Sequence, residues 1–175
     1  VLFRSPVCCK VHKMVKFEGY EFVDGGVCAA EGFTAAGVIA GIKAGNTTKR
    51  DLAMIFCAER CKAAALYTTN KVKGAPIYVT KKHLEDGCAQ AVIVNSGNAN
   101  TCNENGIEIA EQMCELTAEA LDIDADDVLV GSTGVIGQPL SIKPIKARIP
   151  TLAKELSSKK SSEACEAIMT TDTRK

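Results

Sequence analysis

The stretch Val128-Leu129-Val130-Gly131-Ser132-Thr133-Gly134-Val135-Ile136-Gly137 decides how this chain is read. Its apolar start reads as a buried strand, which then empties into a loop of Gly, Ser and Thr. Such a loop presents backbone N–H groups and hydroxyls, and glycine lets the backbone approach a ligand closely. No Lys, Arg or His lies within it. An anion held there would be held by dipoles, which suits a charge that forms only during a reaction. The same residues also make an ordinary glycine-rich turn. Locally, both readings stand open.

Moving outward, residues 91–94 (Ala-Val-Ile-Val) form a second apolar run that opens into Asn95-Ser96-Gly97-Asn98-Ala99-Asn100. These carboxamides and hydroxyl can donate or accept without carrying charge. The two strand ends are either the walls of a shared polar pocket or two turns with left-handed backbone. Between them, Ile107, Ala110, Cys114, Thr117 and Leu121 recur at helical steps, predicting a helix over 104–121 with one buried face. Downstream, Ile142, Ile145, Ile149, Leu152 and Leu156 predict another helix, with Ser141 as N-cap and Pro150 kinking or dividing it. Residues 162–169 predict a last helix.

Upstream, residues 32–43 are too rich in glycine for a helix and read as strand and turn. Two apolar runs, 51–58 and 62–69, flank a charged turn and predict a hairpin. Residues 76–80 read as a strand, 81–86 as a short helix stopped by Gly87, and 20–23 as an edge strand. Alternating strands and helices make an α/β chain.

The 175 residues are 46% hydrophobic, enough for a real core. Lys and Arg together equal Asp and Glu at 21 each, so no nucleic-acid footprint exists. No apolar run approaches the ~20 residues of a membrane helix, and no secretory signal is legible, which makes cytoplasm the default. The nine cysteines, at 8, 9, 28, 57, 61, 88, 102, 114 and 165, include no Cys-x-x-Cys pair. Cys57-x-x-x-Cys61 comes nearest to a metal spacing, without a second pair or clustered His to support it. Cys57 and Cys114 read as small buried hydrophobes. His12 and His83, in a doubtful leader and a charged segment, read as solvated. No Gly-x-Ser-x-Gly elbow and no phosphate-cradling Gly-Lys-Ser/Thr loop is present. The residues offer a place for a developing negative charge and no nucleophile to create it.

Five blocks occur together in order: residues 32–38 (Gly-Phe-Thr-Ala-Ala-Gly-Val), 68–73 (Thr-Thr-Asn-Lys-Val-Lys), 94–100 (Val-Asn-Ser-Gly-Asn-Ala-Asn), 132–137 (Ser-Thr-Gly-Val-Ile-Gly) and 169–173 (Met-Thr-Thr-Asp-Thr). With them the chain resembles the α-chain half of the ornithine acetyltransferase family (bifunctional glutamate N-acetyltransferase) of arginine biosynthesis, over residues 25–175. The resemblance implies a layered α-β-β-α fold. It implies a precursor that cleaves itself ahead of a threonine in an Ala-Thr-Met-Leu segment, the threonine heading a β-chain as the nucleophile. It implies ping-pong transfer of acetyl from N-acetylornithine to glutamate through an acetyl-threonine, in an α2β2 heterotetramer, with no cofactor and no metal. Whether acetyl-coenzyme A is a second donor stays open. The family's oxyanion hole maps onto Thr133 and Gly134, and a substrate-contacting threonine onto Thr170; Asn95, Asn98 and Asn100 receive no role beyond shaping the neighbourhood. Residues 1–24 have no counterpart, and residues 2–5 match one reading frame of a sequencing adaptor. A fragment cut before the cleavage site is therefore expected. The rivals are a self-processing aminopeptidase or amidase, with water as acceptor, and a non-enzymatic small-molecule-binding domain.

Overall fold

The computed structural model describes residues 19–21 and 23–170. His12, Cys8, Cys9, Phe22 and residues 171–175 lie outside them, as does the rest of residues 1–18. Four strands form one sheet in the order β1 (Phe33–Val38), β2 (Leu52–Lys62), β3 (Cys88–Asn98), β4 (Val128–Val135). β1 pairs antiparallel with β2, and β2 with β3, whereas β3 pairs with β4 in parallel. The parallel pair is joined through helix α2 (Gly106–Leu121), as a parallel connection requires. The mixed α/β class read from the sequence stands.

β1 and the first half of β2 are covered on both faces, which is why they read as apolar runs rather than as alternation. Ala36, Val38, Leu52 and Met54 face a core built with Ile93, Val128 and Val130, under α2 and α3 (Ile142–Lys154). Ala35 and Ala53 face the other way, against Ala164 and Ala167 of α4 (Ser161–Ile168). The contact on this second face is close: a Cβ on Gly37 would lie 2.2 Å from the Glu163 carbonyl oxygen.

Several expectations are corrected. Residues 51–58 and 62–69 form no hairpin; β2 runs through Glu59 and Arg60 to Lys62, and residues 63–70 are irregular. Arg60 is fixed within the strand because its Nε donates to both Asp127 oxygens, at 2.6 and 2.8 Å, a partnership invisible to local reading. Residues 76–80 are helical, not extended: α1 spans Ala75–His83, with Pro76 in its first turn, where a missing N–H costs nothing. Residues Tyr20, Glu21 and Val23 are in no strand. The buried seam of α2 is Ile109, Ala110, Met113, Cys114, Thr117 and Ala118, whereas Ile107 is 51% exposed. α3 continues through Pro150 because both Pro150 and Lys146, whose carbonyl loses its partner, face solvent. Its N-cap is as expected, Ser141 Oγ accepting from the Lys143 N–H.

His83 is buried, not solvated. Its Nδ1 lies 2.7 Å from the Val128 carbonyl, and since a carbonyl only accepts, Nδ1 carries the proton. One turn earlier on α1, the Thr80 hydroxyl donates to the Val130 carbonyl (2.9 Å) and accepts from the Val130 N–H (3.1 Å). Helix α1 thereby closes the first half of the outer edge of β4, doing with two side chains what a fifth strand would do.

Cys114, wholly buried, has its thiol pushed up to about 12 by burial first, with the charges of Glu111, Glu115 and Asp126 adding to it. A raised thiol stabilises the fold fully below the ordinary thiol value, and that contribution is lost as pH rises through the folded one. Stability should therefore fall between about pH 9 and about 12, by up to about 1.4 kcal/mol per pH unit for this proton. Urea titrations along that range should show a shallower fall in Cys114→Ala than in the parent; parallel curves would remove Cys114 as the cause.

Candidate functional site

The two strand ends singled out by sequence are neighbours. Asn95 pairs with Ser132, Ser96 with Thr133, Gly97 with Gly134 and Asn98 with Val135. What read as two loops is still sheet, because each strand end is held by the other. Among the described residues, only at this pair do two positive-φ glycines face each other, Gly97 at 102° and Gly134 at 131°. The approach is close, since a Cβ on Gly134 would fall 2.4 Å from the Gly97 carbonyl carbon and 2.6 Å from the Asn98 nitrogen.

The asparagines are used up internally. Asn95 Oδ1 accepts from Ser132 Oγ (2.6 Å), and its Nδ2 donates to the Asn98 carbonyl (3.0 Å). Asn98 accepts from the Asn100 N–H and donates to the Gln138 carbonyl. Asn100, left-handed at φ 48°, donates to the Gly106 carbonyl at the start of α2. All three are buried. The two strand ends thus lie side by side, and the carboxamides serve structure.

Thr133 and Gly134 stand differently. The Thr133 hydroxyl donates to the Ile168 carbonyl at 3.2 Å, and Gly134 is exposed. Val130 turns its N–H and C=O outward to Thr80, while the Val135 carbonyl turns inward to the Ala99 N–H. Backbone groups alternate along a strand, so Ser132 and Gly134 point theirs outward too, beyond the stretch that Thr80 closes. A backbone N–H turned outward at an exposed edge, beside a hydroxyl, is a ready donor to a developing negative charge. The Ile168 contact also places Thr170 in the neighbourhood, where its carbonyl accepts from Lys49 Nζ at 2.9 Å.

A cleft of about 380 Å³ adjoins these residues, lined by Tyr67, Thr80, Val130, Gly131, Ser132 and Thr133 among others. The Tyr67 hydroxyl is buried in its wall without a partner among the described residues, and burial pushes its pKa up. A larger hollow of about 550 Å³, lined by Lys73, Tyr78, Glu104 and Glu108 among others, includes none of residues 132–134. No group of three or more His, Cys, Asp or Glu suited to a metal occurs among the described residues. The hydroxyls of Ser132 and Thr133 meet an amide and a carbonyl rather than a base. The arrangement can hold a developing oxyanion; it cannot generate a nucleophile.

Sequence reading missed Asp51, Tyr67, Thr80 and Lys49. Asp51 is buried and accepts from the N–H groups of Ala40 (2.6 Å), Gly41 (3.3 Å) and Ile42 (2.8 Å) and from Asn46 Nδ2 (2.8 Å). It thereby fixes the loop that sets Lys43 against Gly97, with a Cβ on Gly97 only 3.3 Å from Lys43 Cβ. An acidic residue opening an apolar strand, just after a Gly-Asn-Thr-Thr turn, was the one available signal for it.

The mixed α/β fold matches solved structures of the ornithine acetyltransferase type. The solved ornithine acetyltransferase of Mycobacterium tuberculosis, complexed with ornithine, superposes with a TM-score of 0.79 at 40% identity, covering 84% of this chain and 80% of that one. The ArgJ family profile matches residues 34–175, and the chain belongs to the ArgJ family. The arginine biosynthesis bifunctional proteins ArgJ of Caldanaerobacter subterraneus subsp. tengcongensis and Symbiobacterium thermophilum are 46% and 47% identical to it over 154 residues. In each case the match takes in 87% of this chain and 38% of the relative, so the chain spans well under half the length of those proteins.

Proposed function

We propose that residues 25–175 are the α-chain part of an acetyltransferase that moves acetyl from N-acetylornithine to glutamate. Thr133 and Gly134 supply the oxyanion hole in this reading, and Thr170 contacts substrate. The observation that carries it is the outward N–H of Gly134 beside the Thr133 hydroxyl, on the stretch of edge that α1 leaves open. The nucleophile is a threonine heading a β-chain cut from the same precursor. Its α-amine, with an ordinary pKa of about 7.7–8.0, takes the hydroxyl proton near neutral pH. Attack on N-acetylornithine gives a tetrahedral oxyanion, and its collapse releases ornithine and leaves an acetyl-threonine. Glutamate attacks that ester through a second oxyanion in the same hole. Each time, the Thr133 hydroxyl exchanges the Ile168 carbonyl for the charged oxygen, a stronger acceptor. The enzyme works as an α2β2 heterotetramer in the cytoplasm.

The test is Thr133→Ala in the complete, self-cleaved protein. Acetyl transfer should fall at least tenfold, and one lost oxyanion donor typically costs on the order of 10²–10³ in turnover. Self-cleavage and the melting temperature should stay near those of the parent. Unchanged turnover would remove Thr133 from the hole.

A further inference from the structure

The register of β2 against β3 slips once. Between the Phe56–Ala91 and Cys61–Ala89 pairs, β2 advances five residues while β3 advances two. The surplus folds the strand back on itself. In a regular strand residues four apart stand about 13 Å from each other, yet here the Sγ atoms of Cys57 and Cys61 lie 3.3 Å apart. Neighbours on three sides hold the bulge in place. Arg60, inside it, is clamped by Asp127 and Asp86. The Ala58 N–H donates to the Gly32 carbonyl at 3.2 Å, and Cys57 is paired across the sheet with Phe33.

We propose that Cys57 and Cys61 are an intramolecular disulfide site, closed by exchange with a small disulfide such as oxidised glutathione. Closure brings the sulfurs from 3.3 Å to about 2.05 Å, a shift of little more than about 1 Å. Cys61 is half-buried and Cys57 is 4% exposed, so Cys61 is the sulfur an incoming reagent reaches. The Cys61 thiolate attacks one glutathione sulfur, forming a mixed disulfide and expelling glutathione thiolate. The Cys57 thiol then loses its proton to solvent and attacks the Cys61 sulfur, expelling the second glutathione. Two S–H bonds are replaced by one protein S–S bond, and oxidised glutathione is reduced to two molecules of the thiol. The Cys57 thiol against it, followed by burial and the Glu59 charge, pushes the Cys61 thiol above its ordinary value. Cys61 is therefore protonated at neutral pH when reduced, and its exchange with oxidised glutathione proceeds through a small thiolate fraction.

The site is independent of acetyl transfer and is tested without an activity assay. The full-length protein is equilibrated across ratios of oxidised to reduced glutathione, free thiols are alkylated, and trypsin is added. Trypsin cuts after Arg60 and Lys62, between and behind the two cysteines. The expected product is peptide 51–60 joined to the dipeptide 61–62, two hydrogens lighter than the reduced pair, rising with one midpoint and reversed by dithiothreitol. In Cys57→Ser the linked product should vanish, and Cys61 should accumulate bound glutathione. Two results would overturn the proposal: alkylation of both cysteines at every ratio, or linkage of Cys57 to any other cysteine. Both are read from the parent protein, whatever becomes of the variant.

Discussion

Gly134→Ala should be strongly destabilised and show no measurable acetyl transfer. The added Cβ would sit 2.4 Å from the Gly97 carbonyl carbon, 2.6 Å from the Asn98 nitrogen and 2.7 Å from the Gly97 oxygen. All three belong to the backbone of the parallel partner, so no side chain can swing aside. The φ of 131° is also one that an L-residue with a side chain rarely takes. Overpacking and backbone strain together should cost on the order of 3 kcal/mol or more, a hundredfold or greater drop in the folded-to-unfolded ratio. Gly137→Ala is the control, with φ 71° and nothing within 4 Å of the new methyl. It should cost only about 1 kcal/mol. Urea melts of the full-length protein separate the two. Equal losses would mean that conformation alone, not contact between the strands, makes Gly134 necessary.

Asp51→Ala should be nearly as damaging, from a residue that touches neither Thr133 nor Gly134. Its carboxylate satisfies three backbone N–H groups and the Asn46 amide in a buried setting. Removing it leaves those donors without partners, and a buried donor left unsatisfied costs about 1–3 kcal/mol. Asp51→Asn keeps the shape and one accepting oxygen, but turns an NH₂ toward donors, so an intermediate loss is expected. Denaturation midpoints measure the cost, and amide exchange at residues 40–42 reports where it falls. A loss under about 1 kcal/mol in Asp51→Ala would show that water takes over the loop's donors.

How far the sequence could be read follows from how local each cause was. The strand at Val128–Val130 and the α2 and α3 helices were legible because their apolar spacing is a property of neighbours in the chain. Pro76–Thr80 was not: Pro-Ile-Tyr-Val-Thr looks extended, and what makes it helical is Val130, on whose backbone Thr80 closes from 50 residues away. The false hairpin has the same origin, since Arg60 belongs in a strand only where Asp127 is beside it. His83 looked solvated among lysines, yet a carbonyl of β4 holds it inside. For the site, Thr133 and Gly134 were legible only as a family pattern. Their free edge depends on where α1 stops covering β4, which no spacing of residues records.

The contact between Lys49 and Thr170 carries a consequence for how the protein is made. It joins residues 121 apart, against 35 for Thr133 and Ile168. Closing the wider span costs only about 1 kcal/mol more in chain entropy, so the bond is not thermodynamically dear. Its constraint is one of sequence in time. As the chain emerges from the ribosome, β1 and β2 can pair early, but the Lys49 ammonium cannot meet the Thr170 carbonyl until residue 170 has been delivered. The neighbourhood of Thr133 is therefore completed only once residues 168–170 have been synthesised, and a nascent chain halted before α4 would carry the sheet without the finished site.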